Sequence, residues 1–185
     1  DLLFSNYAEE EKGIVVTTTD LIIPKKYRQK RDGDSELTPY DSSELKALYS
    51  TKELSKAGPR LRVDLACQCG LRADEITLFP GSCVINPDVS DQTVFSVEIV
   101  GKFGKQRTIL VSKGLMTSLW HYKNTAEHQA RLSKWQLLHG NCDEAPLFLN
   151  RSGEQMKAKS VANVISKARK ELEKRGILLE RTFHD

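Results

Sequence analysis

Residues 93–100 and 107–112 are short runs rich in β-branched side chains, joined by Gly101-Lys102-Phe103-Gly104-Lys105. A five-residue connection with two glycines between such runs turns the chain back on itself as an antiparallel hairpin. Residues 82–86 form a third run of the same kind, so a small three-stranded antiparallel sheet is expected in the middle of the chain. Helical patterns lie on both sides of it. Asp41 followed by Glu44 has the spacing of a capping box, and Leu45, Leu48 and Tyr49 then mark one helical face. A second helix is expected from Pro59, with Leu61, Leu65 and Cys69 on one stripe and Gly70 interrupting it; a short third covers residues 73–79 before Pro80-Gly81. Beyond the sheet, residues 115–123 and the stretch to Leu138 read as helical, with Trp120 and Trp135 as core aromatics. Residues 147–149 read as a buried apolar triplet before the Arg151-Ser152-Gly153 turn. A last helix is expected from Ser160, as its cap, to Arg175 and Gly176. The fold class is therefore a mainly helical α+β domain.

The amino-terminal part differs. Residues 13–19 are β-branched and strand-like, but they lead through Pro24 into a basic run and the polar stretch 31–35. This composition marks residues 1–36 as an arm or linker, with the compact domain running over 37–185. A hydrophobic share of 39% and a charged share of 29% describe a globular chain rather than a disordered one. No apolar run approaches the roughly 20 residues a membrane helix needs, and residues 1–10 have no basic signal-like region, so a cytoplasmic protein is expected.

The formal charge of +3 is modest, and its distribution matters more than its sum. Lys25, Lys26, Arg28, Lys30 and Arg31 form one basic run; Lys167, Arg169, Lys170, Lys174 and Arg175 form another. Each taken alone is ordinary solvated surface. Cys67, Cys69, Cys83 and Cys142 do not form a zinc set: the first two, two positions apart on a helix, point about 200° apart, and no second close pair completes four ligands. They are expected to be buried free thiols. No metal and no cofactor is expected.

Four features carry chemistry. In Gly70-Leu71-Arg72-Ala73-Asp74-Glu75-Ile76, an arginine sits at a break between helices with a glutamate three residues on, placed to orient it. Lys102 and Lys105 ride on the hairpin. The 147–153 segment follows, and Phe183-His184-Asp185 closes the chain. In this order, the four are similar to the motifs of the tyrosine recombinase (phage integrase) family. Residues 70–76 resemble its GLRxxE(L/I) box, 100–107 its GKGxKxR hairpin, 146–153 its "LF" segment and turn, and 182–185 the opening of its HxLRH box.

The resemblance covers residues 37–185 and implies a DNA breaking-rejoining catalytic domain. In this family a tyrosine attacks a DNA phosphodiester, giving a 3′-phosphotyrosyl enzyme and a free 5′-hydroxyl, without metal or ATP. It implies Arg72 as the guanidinium that stabilises charge on the non-bridging oxygens, Lys102 as proton donor to the leaving 5′-oxygen, and His184 as a hydrogen-bonding or proton-shuttling group at the phosphate. Glu75 supports Arg72. Lys105, Arg107, Lys25, Lys26 and Arg28 are expected DNA contacts, double-stranded DNA the partner, and a homo-tetramer on DNA the assembly of the full-length parent. Site-specific recombination or integration by that parent is the function this implies. The alternatives are a non-catalytic DNA-binding module of the same fold, a type IB topoisomerase-like enzyme, and a helical adaptor whose motifs arise by chance.

The sequence departs from the family pattern at its end: the family's second catalytic arginine, a further His or Trp and the tyrosine are expected beyond Asp185, and Tyr7, Tyr27, Tyr40, Tyr49 and Tyr122 all precede His184, so none stands at the nucleophile's place. Covalent catalysis requires that nucleophile. The 185-residue chain incubated with a suicide DNA substrate is therefore expected to give no covalent adduct on a denaturing gel; a shifted, protease-sensitive band contradicts the motif alignment.

Overall fold

A computed structural model describes residues 5–9, 14–18, 40–101 and 104–179. The chain divides into two units, Asp1–Leu37 and Thr38–Asp185. In the first, β1 (Ser5–Glu9) pairs antiparallel with β2 (Ile14–Thr18), Tyr7 opposite Val16. The expected strand over 13–19 is present as β2; its partner β1 falls in the acidic start, where sequence gave no strand signal.

Among its described residues the second unit contains six α-helices and one two-stranded antiparallel sheet, a mixed α+β arrangement. The first helix, α1 (Ser42–Tyr49), begins where the capping box places it. The Asp41 carboxylate accepts from the Ser43 and Glu44 amides, and Glu44 accepts from the Asp41 amide at 2.9 Å. It is followed by α2 (Ala57–Cys69), which starts two residues before Pro59 and ends at Gly70 in the left-handed conformation, φ 63°. The short α3 (Ala73–Thr77) stops before Phe79. Next come β3 (Val94–Val100) and β4 (Gln106–Ser112), joined as the hairpin the sequence predicts, Val97 opposite Ile109. Then α4 (Lys113–Lys123), α5 (Ala126–His139) and α6 (Ala158–Lys174) complete the unit.

The sheet has two strands rather than the expected three. Residues 82–86 hold only two β-branched side chains, between Gly81 and Pro87, and form 3₁₀ turns at Gly81–Cys83 and Pro87–Val89 instead. Their polar groups are satisfied away from any sheet: the Gly81 amide donates to the Ala145 carbonyl at 3.0 Å, and the Asn86 side chain accepts from the Asp88 amide. Ser160 is likewise not the cap of the last helix. α6 starts two residues earlier, after Lys157, which puts Ser160 in its first turn.

Two buried clusters organise the unit, and α2 contributes to both. Leu61 and Leu65 join Phe79, Val97, Val111, Leu119 and Phe148; Val63 joins Leu48, Leu54 and the α6 stripe Val164, Ile165, Ala168 and Leu172. The 147–149 triplet is fully buried, as its composition demands. Trp120 and Trp135 are only half-buried and sit at the edge of the core, Trp135 stacked on His139 with ring centroids 3.7 Å apart. The cysteines also differ from expectation. Cys67 is exposed and the other three are half-buried, all as free thiols; Cys67 lies on α2's outer side, away from the Leu61–Leu65 stripe.

Among the described residues, one histidine is buried. His128 is 2% exposed and its Nε2 lies 3.0 Å from the Leu147 carbonyl oxygen. A carbonyl only accepts, so Nε2 carries a proton and donates to Leu147. Burial holds the His128 pKa below its ordinary value, hydrogen bonding to the Leu147 and Lys123 backbone opposing that in part. Below about pH 6.5 the unfolded chain gains a proton that the folded chain resists, so folding stability falls with pH in this window. Urea unfolding from pH 7 to 5 is expected to show this loss, by up to ~1.4 kcal/mol per pH unit from this group. His128→Gln removes that part of the slope; an unchanged slope contradicts the assignment.

Candidate active site

Arg72 owes its position to the way α2 ends. Gly70 adopts φ 63°, closing the helix with its amide on the Ala66 carbonyl at 3.0 Å. Leu71 then turns inward, 4% exposed, and Arg72 is extended at φ −74° and ψ 160° before α3 begins. The Arg72 side chain points outward and is 78% exposed.

Glu75 is the opposite case. It is 4% exposed, and its carboxylate gathers groups from three segments. Oε2 accepts from the Arg72 backbone amide at 2.8 Å, which caps α3, and from Arg107 Nη2 at 2.8 Å, across from β4. Oε1 lies 3.9 Å from Arg72 Nη1. The third segment is the base of the hairpin: a Cβ on Gly101 meets Glu75 Oε1 at 2.9 Å, so the backbone approaches the carboxylate as only glycine allows. The same Arg107 Nη2 reaches the Gly70 carbonyl at 3.2 Å, and Cys69 Sγ the Leu110 carbonyl at 3.5 Å. The hairpin is itself closed by Gly101 N–H to Lys105 O at 2.7 Å and Gly104 N–H to Gly101 O at 3.2 Å, Gly104 at φ 71°.

The glycine-arginine box and the lysine hairpin, some thirty residues apart in sequence, are thus clasped through one acid. The 147–153 segment joins them from below. Its Leu147 amide donates to the Phe79 carbonyl at 2.8 Å, and Pro80 and Pro146 form a β-bridge. Its turn seats on α5 through Gly153, φ 84°, where a Cβ falls 2.9 Å from the Trp135 amide. Lys105 is exposed beside the clasp. Arg107, expected as a DNA contact, is engaged by Glu75 and Gly70, a structural tie that its motif position did not reveal. Lys102, His184, Lys25, Lys26 and Arg28 lie outside the described residues.

Chemically, an outward guanidinium with a buried carboxylate beneath it is oriented to receive an anion from solvent, in one or two hydrogen bonds. Among the described residues no group of three or more His, Cys, Asp or Glu is placed to hold a metal ion, and no helix is long and apolar enough to cross a membrane. Comparison with family models, curated proteins and solved structures finds no match for the chain.

Removing the Glu75 carboxylate leaves an amide and a guanidinium unanswered at a buried point. Glu75→Ala is expected to destabilise the second unit by about 1–3 kcal/mol, with Arg107→Ala costing less because that side chain is 44% exposed. A double-mutant cycle by chemical denaturation should return a coupling of about 0.5–3 kcal/mol between them, and strict additivity removes the clasp.

Proposed function

We propose that this chain supplies the Arg72–Lys102 half of a tyrosine recombinase active site, in an integrase-like DNA breaking-rejoining fold. The observation that carries the reading is the Glu75 clasp, which binds the segment presenting Arg72 to the base of the hairpin bearing Lys102. Two motifs that resemble the family's by sequence are held together by a buried carboxylate, as one phosphate-handling centre requires.

In this mechanism a tyrosine oxygen attacks the scissile phosphorus of double-stranded DNA. The new O–P bond forms as the bond to the 5′-oxygen breaks. Charge grows on the non-bridging oxygens, where the Arg72 guanidinium neutralises it without reorganising. Lys102 transfers a proton to the departing 5′-oxygen, and His184 hydrogen-bonds the phosphate. The reaction returns the bond energy on rejoining, so recombination or integration by a tetramer on DNA needs no external energy source. Lys105 contacts the DNA backbone, an interaction that makes affinity fall as salt rises.

Arg72 is exposed, so Arg72→Ala removes the guanidinium without disturbing the core. In the full-length parent the substitution is expected to slow covalent adduct formation on a suicide DNA substrate by about 10²–10³-fold, with the thermal midpoint unchanged. Adduct formation at the original rate sinks the reading. A parent that binds DNA in an Arg72-dependent way yet never forms an adduct is the non-catalytic module, and one that relaxes supercoils without exchanging strands is topoisomerase-like.

A further inference from the structure

At the amino-terminal end of α2, opposite the end that presents Arg72, lies a cavity of about 370 Å³. That size falls within the range of small-molecule sites, about 300–1,000 Å³. Four cations line it: Lys56, Arg62, Arg131 and Arg151. Two are answered on the spot, Lys56 by Glu53 at 3.1 Å and Arg131 by Glu127. Arg62 and Arg151 have no carboxylate partner among the described residues.

Arg62 is the telling one. It is 7% exposed, yet carries a permanent charge. Its Nε donates to the Gly58 carbonyl at 3.2 Å and its Nη1 reaches Met156 Sδ at 2.8 Å and the Ser160 carbonyl at 3.4 Å. These neutral acceptors satisfy part of the fork and leave its Nη2 without a hydrogen bond among the described residues. No carboxylate lies within ion-pair distance of Arg62 among the described residues, Glu53 acting only from farther off, whereas buried charges in proteins are paired closely. Burial depresses its pKa, Tyr122 and Glu53 oppose that in part, and Arg131, another cation on the same wall, adds to the depression. The helix end supplies a second source of positive potential. Lys56 provides no side-chain cap to α2, and Ala57 and Gly58, whose amides are the first of the helix, line the cavity. The remaining lining is mixed: Pro59, Met156 and the packed rings of Tyr122 and Phe148, centroids 5.6 Å apart, are apolar, whereas Asn150 is polar and the Glu127 carboxylate, already paired with Arg131, also borders the cavity.

We propose that this cavity binds a small phosphate monoester, its dianionic head between the Arg62 and Arg151 guanidinium groups and its organic part against Pro59, Tyr122 and Phe148. Two unpaired guanidiniums match two negative charges, and their planar forks match phosphate oxygens. The assignment stands apart from the recombinase reading: it uses none of Arg72, Glu75 or the hairpin.

Phenyl phosphate and inorganic phosphate are the probes, titrated calorimetrically into the 185-residue chain at chloride-matched ionic strength. One site per chain is expected, phenyl phosphate binding more tightly than the inorganic ion and raising the thermal midpoint. Arg62→Met keeps the volume and removes the buried charge. It is expected to weaken phenyl phosphate at least tenfold while the ligand-free midpoint stays level or rises. Arg151→Ala, an exposed change that leaves packing intact, is expected to weaken it severalfold and serves if Arg62→Met fails to fold. Absence of binding to the unaltered chain, or binding undiminished in Arg151→Ala and in folded Arg62→Met, overturns the proposal. So does a DNA duplex that displaces phenyl phosphate competitively and loses affinity in Arg151→Ala, which assigns the cavity to the nucleic-acid backbone.

Discussion

One buried carboxylate holds the central part of the molecule in register. Glu75 lies on a helix of only five residues, far too short to persist alone, and its carboxylate supplies the amino-terminal cap. The same oxygen takes a guanidinium from β4, while its partner oxygen lies where a Cβ on residue 101 would fall, 2.9 Å away. A carboxylate taken out of water costs several kcal/mol unless every lone pair is answered. Here the Arg72 backbone amide and Arg107 both answer Oε2, with Arg72 Nη1 3.9 Å from Oε1, so the helix break and the strand are tied through one acid. Loss of any partner leaves the others buried and unsatisfied, which makes the arrangement cooperative rather than a sum of weak surface pairs.

The other organising element is α2, apolar on two faces. Its Leu61 and Leu65 face the hairpin cluster and its Val63 faces the α6 cluster, so the helix is a beam between two small cores. A helix held on both sides has its ends fixed in space. At the carboxyl end, Gly70 reverses the chain and Arg72 leaves for solvent. At the amino end, uncapped amides and Arg62 border the cavity. The two ends lie about 20 Å apart at 1.5 Å per residue, so an anion at one does not touch the other.

Much of the fold is readable from local chemistry. Asp41 and Glu44 start α1 because their side chains reach amides two and three residues away, and the 101–105 turn closes through its own backbone. The failures have a common cause in long-range partners. Residues 82–86 read as a strand by composition, yet the nearest backbone on offer is Ala145, not a sheet edge. Ser160 has the chemistry of a cap, but its carbonyl lies beside Arg62 and the helix has already begun. Arg62 itself reads as one more surface cation; only its place between Leu61 and Val63, inside an apolar stretch, hinted at burial. At the candidate site the Arg72–Glu75 spacing was legible, whereas the reach of Arg107 back to Glu75 across thirty-two positions was not.

Arg72 and Arg107 approach the same carboxylate and meet different fates. Arg107 makes the short contact, 2.8 Å, and a second bond to Gly70, so its fork is occupied in holding the hairpin. Arg72 stays at 3.9 Å with its side chain 78% exposed, anchored by its backbone rather than its guanidinium. An arginine whose main chain is fixed by a buried acid while its fork stays open is restricted in origin and free in valence. A phosphate clamp needs that combination: precise placement, with donors that are not already satisfied. Under the recombinase reading, Glu75 therefore sorts two identical side chains by backbone position alone, making one a structural brace and the other the group that meets the DNA.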